Sequence, residues 1–262
     1  MITHKSRVAL LVASLLLTGC GAGATATPDQ EPAVTRAPRP AHAAEAAARA
    51  ATEAAARAAT EAAARAAAWK LPGLGPATWA RVPSETRQAV VVTGRGRNSS
   101  YSTVVLYERT DTGWKAGSSW PARNALRGWT DNHLAGDLRS PIGVFTLTDA
   151  GGLLEDPGTR LSYHYSDGFT ASGTGFEGEP LAGSFDYVIA IDYNRRTGTS
   201  PLDRTRPLGT GLGGGIWLHV DHEAPTQACV SLAREHMRLL LLALDPERHP
   251  VIVMGDAESL AR

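Results

Sequence analysis

From Trp69 onward the chain breaks into short runs of β-branched and aromatic residues, each closed by glycine, proline, aspartate or asparagine. The runs are Gln88–Thr93, Tyr101–Tyr107, Ile142–Leu147, Tyr187–Asp192, Ile216–Val220 and Val251–Met254. They are too short for helices and suit strands joined by turns. One helix is predicted, the leucine-rich stretch Leu232–Leu244, which Asp245-Pro246 ends because proline cannot continue the hydrogen-bond ladder. This pattern predicts a mostly β domain over residues 69–262, a sandwich or barrel with few short helices.

Residues 41–68 obey a different rule. Glu45, Glu53 and Glu61 each stand four residues before Arg49, Arg57 and Arg65 on an alanine background. That is the favourable order for a helical ion pair, in the residue of highest helix propensity. The eight-residue period carries the charges around the helix and leaves no apolar seam. A semi-rigid helical spacer is expected, with a partly disordered low-complexity tract as the alternative.

Before it, residues 1–19 read as an export signal: Lys5 and Arg7, an apolar run Val8–Leu17, then small residues. The run is shorter than the roughly 20 residues of a membrane-spanning helix. Leu17-Thr18-Gly19-Cys20 resembles the bacterial lipobox, which implies a lipid on Cys20 and anchoring to the outer face of the cell membrane. Residues 20–40, small, polar and proline-bearing, are expected to be a flexible, disordered linker. Lysine plus arginine equals aspartate plus glutamate at 26 each, so no field of one sign recruits nucleic acid.

The chain has two cysteines, and lipidation would consume one. Cys229 is then a lone thiol in an oxidising compartment, a liability unless it is buried or used. Its surroundings suggest use. Ile216-Trp217-Leu218-His219 reads as a strand ending in a histidine, a polar loop follows, and Thr226-Gln227-Ala228-Cys229 stands just before the predicted helix. A thiol of ordinary pKa about 8.5 needs a base or cation nearby to act as a nucleophile, and His219 is the candidate.

This segment resembles the active-site stretch of the YkuD-type L,D-transpeptidases, with a histidine after a hydrophobic strand, then serine or threonine, a variable residue, glycine and cysteine. Gly136-Asp-Leu-Arg-Ser-Pro-Ile-Gly-Val-Phe145 is similar to a second motif of that family. The resemblance implies Cys229 as nucleophile and His219 as its base. It further implies Val220 as the carbonyl that orients the imidazole, main-chain N–H groups around Ala228 and Cys229 as the oxyanion hole, and Thr226 as a supporting residue; His222 reads as a supporting or surface residue. The implied substrate is the stem peptide of peptidoglycan, acylating Cys229 with loss of the terminal D-alanine. The acyl group then passes to an amine, or to water in an L,D-carboxypeptidase.

Three positions depart from the family: Ala228 replaces the usual glycine, Gln227 a common second histidine, and Ser231 a frequent arginine. A non-catalytic wall-binding lipoprotein is the alternative those departures leave open. The crowding of His219, Asp221, His222 and Glu223 invites zinc, but the spacing fits no standard motif and on a continuing strand His219 and His222 would face opposite ways. No metal or cofactor is expected. Gly209–Gly215 precedes a strand instead of opening a helix, so a turn is expected there, not a phosphate loop.

Overall fold

The computed structural model describes residues 40–262. The signal segment, Cys20 and the linker expected over 20–40 lie outside the described residues, apart from Pro40. Two compact units divide the chain at Thr52 and Glu53. The division falls within helix α1 (Pro40–Ala68), whose side chains from 42 onward are all exposed. Glu45 and Arg49 pair at 2.6 Å, and an exposed pair of this kind contributes only a few tenths of a kcal/mol. The helix rests on alanine propensity.

In the second unit, a ten-stranded sheet forms from β1 (Gln88–Gly94), β2 (Tyr101–Thr110), β3 (Gly113–Arg123), β6 (Gly143–Thr146), β7 (Asp149–Gly152), β8 (Ser162–Tyr165), β9 (Val188–Ala190), β10 (Trp217–Val220), β11 (Val230–Leu232) and β12 (Val251–Asp256). Their order is β6-β12-β1-β2-β3-β11-β10-β9-β7-β8. A small parallel pair, β4 (Trp129–Thr130) and β5 (Ser140–Pro141), stands apart. The helices are α2 (Pro76–Trp79), α3 (Arg234–Ala243) and α4 (Ala257–Leu260). The mostly β fold with few short helices is as expected.

The sheet curls on itself. Val90 and Val92 of β1, Val104 of β2 and Ile252 of β12 share one core with Ile189 of β9, Leu218 of β10, and Val230 and Leu232 of β11. The Asp192 N–H donates to the Thr146 carbonyl at 3.1 Å, tying the end of β6 to the segment after β9 and nearly closing the curl. Met237, Leu240 and Leu241 of α3 fill the same core. The opposite face of β1 and β12 is also covered: Ala89, Val91, Val251 and Val253 pack with Leu71, Trp79 and Leu260. Two buried faces explain the unbroken apolar runs of β1 and β12.

Two elements differ from the sequence expectation. Helix α3 begins at Arg234, because Leu232 is claimed by β11. Strand β3 was not expected, since Gly113–Arg123 is poor in β-branched residues and mostly exposed. It forms because a tight turn at Asp111-Thr112 folds it back along β2, so that ladder hydrogen bonds stand in for side-chain burial.

Candidate active site

The geometry of the site follows from one parallel pairing. Leu218 of β10 lies beside Val230 of β11, and Val220 beside Leu232, all four pointing into the core. Successive side chains alternate faces, so Trp217 and His219 on β10, Ser231 on β11 and Cys229 just before it emerge on the other face. Burying each of those core side chains stabilises the pairing by roughly 1.5–3 kcal/mol, whereas a one-residue slip would turn the polar set into the apolar core, away from its hydrogen-bond partners. Cys229 therefore precedes a strand, not the helix expected from the sequence. That strand is what sets the thiol on the histidine's face.

His219 and Cys229 line one cleft of about 560 Å³. The His219 Nδ1 lies 2.9 Å from the Val220 carbonyl, and a carbonyl only accepts, so Nδ1 carries the proton and Nε2 the lone pair. The ring is 3% exposed, and burial lowers its pKa from 6.5 to about 4. The Cys229 Sγ accepts the Trp217 N–H at 3.4 Å and faces the Gly215 carbonyl at 3.9 Å. Burial pushes the thiol up to about 11, against a smaller lowering by that N–H. Among the described residues the thiol has no hydrogen bond to the His219 ring. At rest the two groups are a neutral thiol and a neutral imidazole.

The carbonyl of Cys229 is held from two sides. Thr226 Oγ1 donates to it at 2.6 Å and Ser140 Oγ at 3.4 Å, while Ser140 Oγ also accepts the Ala125 N–H at 3.1 Å. The main-chain N–H groups of Ala228 and Cys229 have no acceptor among the described residues and sit beside the thiol. Ala228 does not have a positive φ, so its methyl occupies an ordinary backbone conformation and packs at the edge of the core.

The chain leaves β10 after Val220, and this turn brings His222 back over His219. Their rings stack in parallel, 5.7 Å apart and 7° from coplanar, contrary to the opposite faces a continuing strand would give. The His222 Nδ1 lies 3.0 Å from Glu179 Oε1, an electrostatic contact more than an in-line hydrogen bond. Phe185 meets the rings of Trp217 and His219 edge to face. Ser231 points its hydroxyl to Asp221 Oδ1 at 2.7 Å, and Asp221 is also paired with Arg123 of β3. Asp221 and Ser231 thus belong to a buttress beside the site. Among the described residues no group of three or more His, Cys, Asp or Glu is arranged to hold a metal ion.

Three cleft residues were not singled out from the sequence. His133 stands in the wall, Ser184 is 2% exposed with an unpartnered hydroxyl, and the Trp217 indole N–H is likewise unpartnered. No spacing links His133 or Ser184 to Cys229; only the folded chain brings them to it. Gly213, Gly214 and Gly215 also line the cleft, with φ of 67°, 138° and 69°. These are left-handed conformations that disfavour side chains, which is why this wall is bare main chain.

No protein-family model and no curated protein matches the chain. Among solved structures, one described as the structure of Bdellovibrio bacteriovorus Bd1075 is similar at 16% identity and a TM-score of 0.36. The match covers 71% of this chain and 54% of that one, so the chain spans about half the length of that protein. A likeness of this degree assigns no activity.

Proposed function

We propose that this protein is a cysteine acyltransferase acting on peptidoglycan stem peptides, an L,D-transpeptidase that works through a Cys229 thioester. The observation that supports this reading is the β10–β11 register, which presents an oriented imidazole and a thiol on one face of one cleft. The stem-peptide substrate rests on the motif resemblance.

The mechanism starts from a neutral pair. With a thiol pKa of about 11, only about one thiol in ten thousand is ionised at pH 7. His219 Nε2 must therefore take the proton as Sγ attacks the donor carbonyl, and a histidine of pKa about 4 is free to accept it. The free N–H groups of Ala228 and Cys229 would hold the developing oxyanion, a role that needs main-chain geometry. His219 then hands its proton to the departing D-alanine nitrogen, leaving the thioester. An amine acceptor gives a cross-link and water gives a shortened stem.

A half-buried thiol without a bond to His219 favours a second reading, a non-catalytic wall-binding domain. Incubation with tetrapeptide muropeptides beside Cys229→Ala separates the two. The enzyme reading requires mass-spectrometric loss of D-alanine and new dimers with the native chain only. Equal product from both proteins, or binding without D-alanine loss, refutes it.

A further inference from the structure

The loop between β4 and β5 places a third imidazole, beside those of His219 and His222, in the cleft wall. The His133 side chain is only 4% exposed, and its Nδ1 lies 3.0 Å from Asp137 Oδ1. As with His222, the contact is electrostatic more than in line. The carboxylate is fixed by its own loop: Oδ2 accepts the Leu134 N–H and Oδ1 the Arg139 N–H, both at 2.9 Å. The Tyr193 ring meets the imidazole edge to face at 5.3 Å, and its hydroxyl donates to the His133 carbonyl.

An anion beside Nδ1 favours the proton there and leaves a lone pair on Nε2. Among the described residues nothing hydrogen-bonds that Nε2. It faces Gly213, where even a methyl group would come within 3.0 Å of it. Gly213 and Gly215, the latter against the Cys229 thiol, are two residues apart, so at most about 7 Å of main chain separates the two positions. His133 and Cys229 thus line the same cleft, with the Asp137 carboxylate beside the imidazole.

We propose that His133, oriented by Asp137, is the base that deprotonates an incoming ammonium acceptor. This inference rests on the thioester reading. An alkyl ammonium has no lone pair to offer; it gives one proton to His133 Nε2, and the imidazolium is held by Asp137. The amine lone pair then forms the C–N bond at the thioester carbonyl, and the second amine proton passes to His219 Nε2. The C–S bond breaks with its electron pair going to Sγ, which recovers the proton from His219. The products are an amide, the free thiol and one proton that leaves His133 for solvent. Water needs no such first step, so this pair decides for transfer over hydrolysis.

The test uses the full chain, His133→Gln and Asp137→Asn, a tetrapeptide muropeptide donor, and water competing with Nα-acetyl-lysine or hydroxylamine. Hydroxylamine is already neutral at neutral pH. Products are normalised to the acyl group mass found on Cys229. The expected result is an amide-to-acid ratio about a hundredfold lower with acetyl-lysine in His133→Gln and much less affected with hydroxylamine. Asp137→Asn, at a less buried position, should move the ratio the same way and serves if the first variant does not fold. An acyl-enzyme with unchanged partition in the folded variants, or equal losses with both amines, overturns the role of His133 alone. Absence of any acyl group on native Cys229 overturns the thioester reading as well.

Discussion

The neutral burial of His219 makes the stability of this fold depend on acid in a calculable way. The unfolded chain takes up a proton on this residue near pH 6.5, the folded chain only near 4. Between those values the unfolded state binds more protons, so stability falls as the pH drops through 6.5 and the loss levels off below 4. The gap between 6.5 and about 4 corresponds to about 3 kcal/mol, at about 1.4 kcal/mol per tenfold change in proton affinity. Carboxylates also titrate on the way to pH 4, so the comparison must be with His219→Asn. Urea unfolding of both proteins at about pH 7 and about pH 4 isolates the imidazole. With an m-value of about 2 kcal/mol/M, the native chain should lose about 1.5 M more in midpoint than the variant. Equal losses in the two proteins would show that His219 is hydrated or charged in the fold, and the neutral-pair mechanism would go with it.

Other expectations concern the rest of the site. Iodoacetamide should alkylate Cys229 at a rate that rises about tenfold per pH unit through pH 9; a plateau near pH 7 would reveal an imidazolium-paired thiolate. Ala228→Gly should leave D-alanine release within about twofold, because no positive φ awaits relief, and should cost up to about 1 kcal/mol of stability in a urea melt. Ser140→Ala removes the acceptor of the Ala125 N–H and one donor to the Cys229 carbonyl, and a loss of about 1–3 kcal/mol is expected in the same melt. Arg195→Met would leave Asp149 and Asp192 buried without their cation, and a loss of about 3–5 kcal/mol is expected by thermal or urea unfolding.

The strands that pack on apolar neighbours were readable one by one. Val90 and Val92, Ile189, Leu218, and Ile252 lie in runs that had only one use, and each became a strand of the shared core. Strand β3 was not readable, because a strand held by main-chain hydrogen bonds leaves little mark on its side chains. β11 was missed for a related reason. Val230-Ser231-Leu232 runs into a leucine-rich stretch that looks continuous with the helix, and only pairing with β10 divides them. The site shows the same limit. His219 and Cys229 stand out because a strand-end histidine and an unpaired thiol are chemically conspicuous, whereas Ser184 and His133 are ordinary residues until the fold sets them in the cleft, and Ser140 until the fold sets it behind the Cys229 carbonyl.

Residue chemistry and local period alone determined that the chain carries an alanine helix without an apolar face, a strand-rich domain, and a thiol with a histidine ten residues before it. Such properties depend on near neighbours, whose spacing is written in the sequence. Only the tertiary structure decided that the two share a face, that burial raises the thiol's pKa, that His222 stacks on His219 and that His133 shares the cleft. Those outcomes depend on strand register, burial and the course of loops, where groups far apart in the chain compete for the same space and solvent.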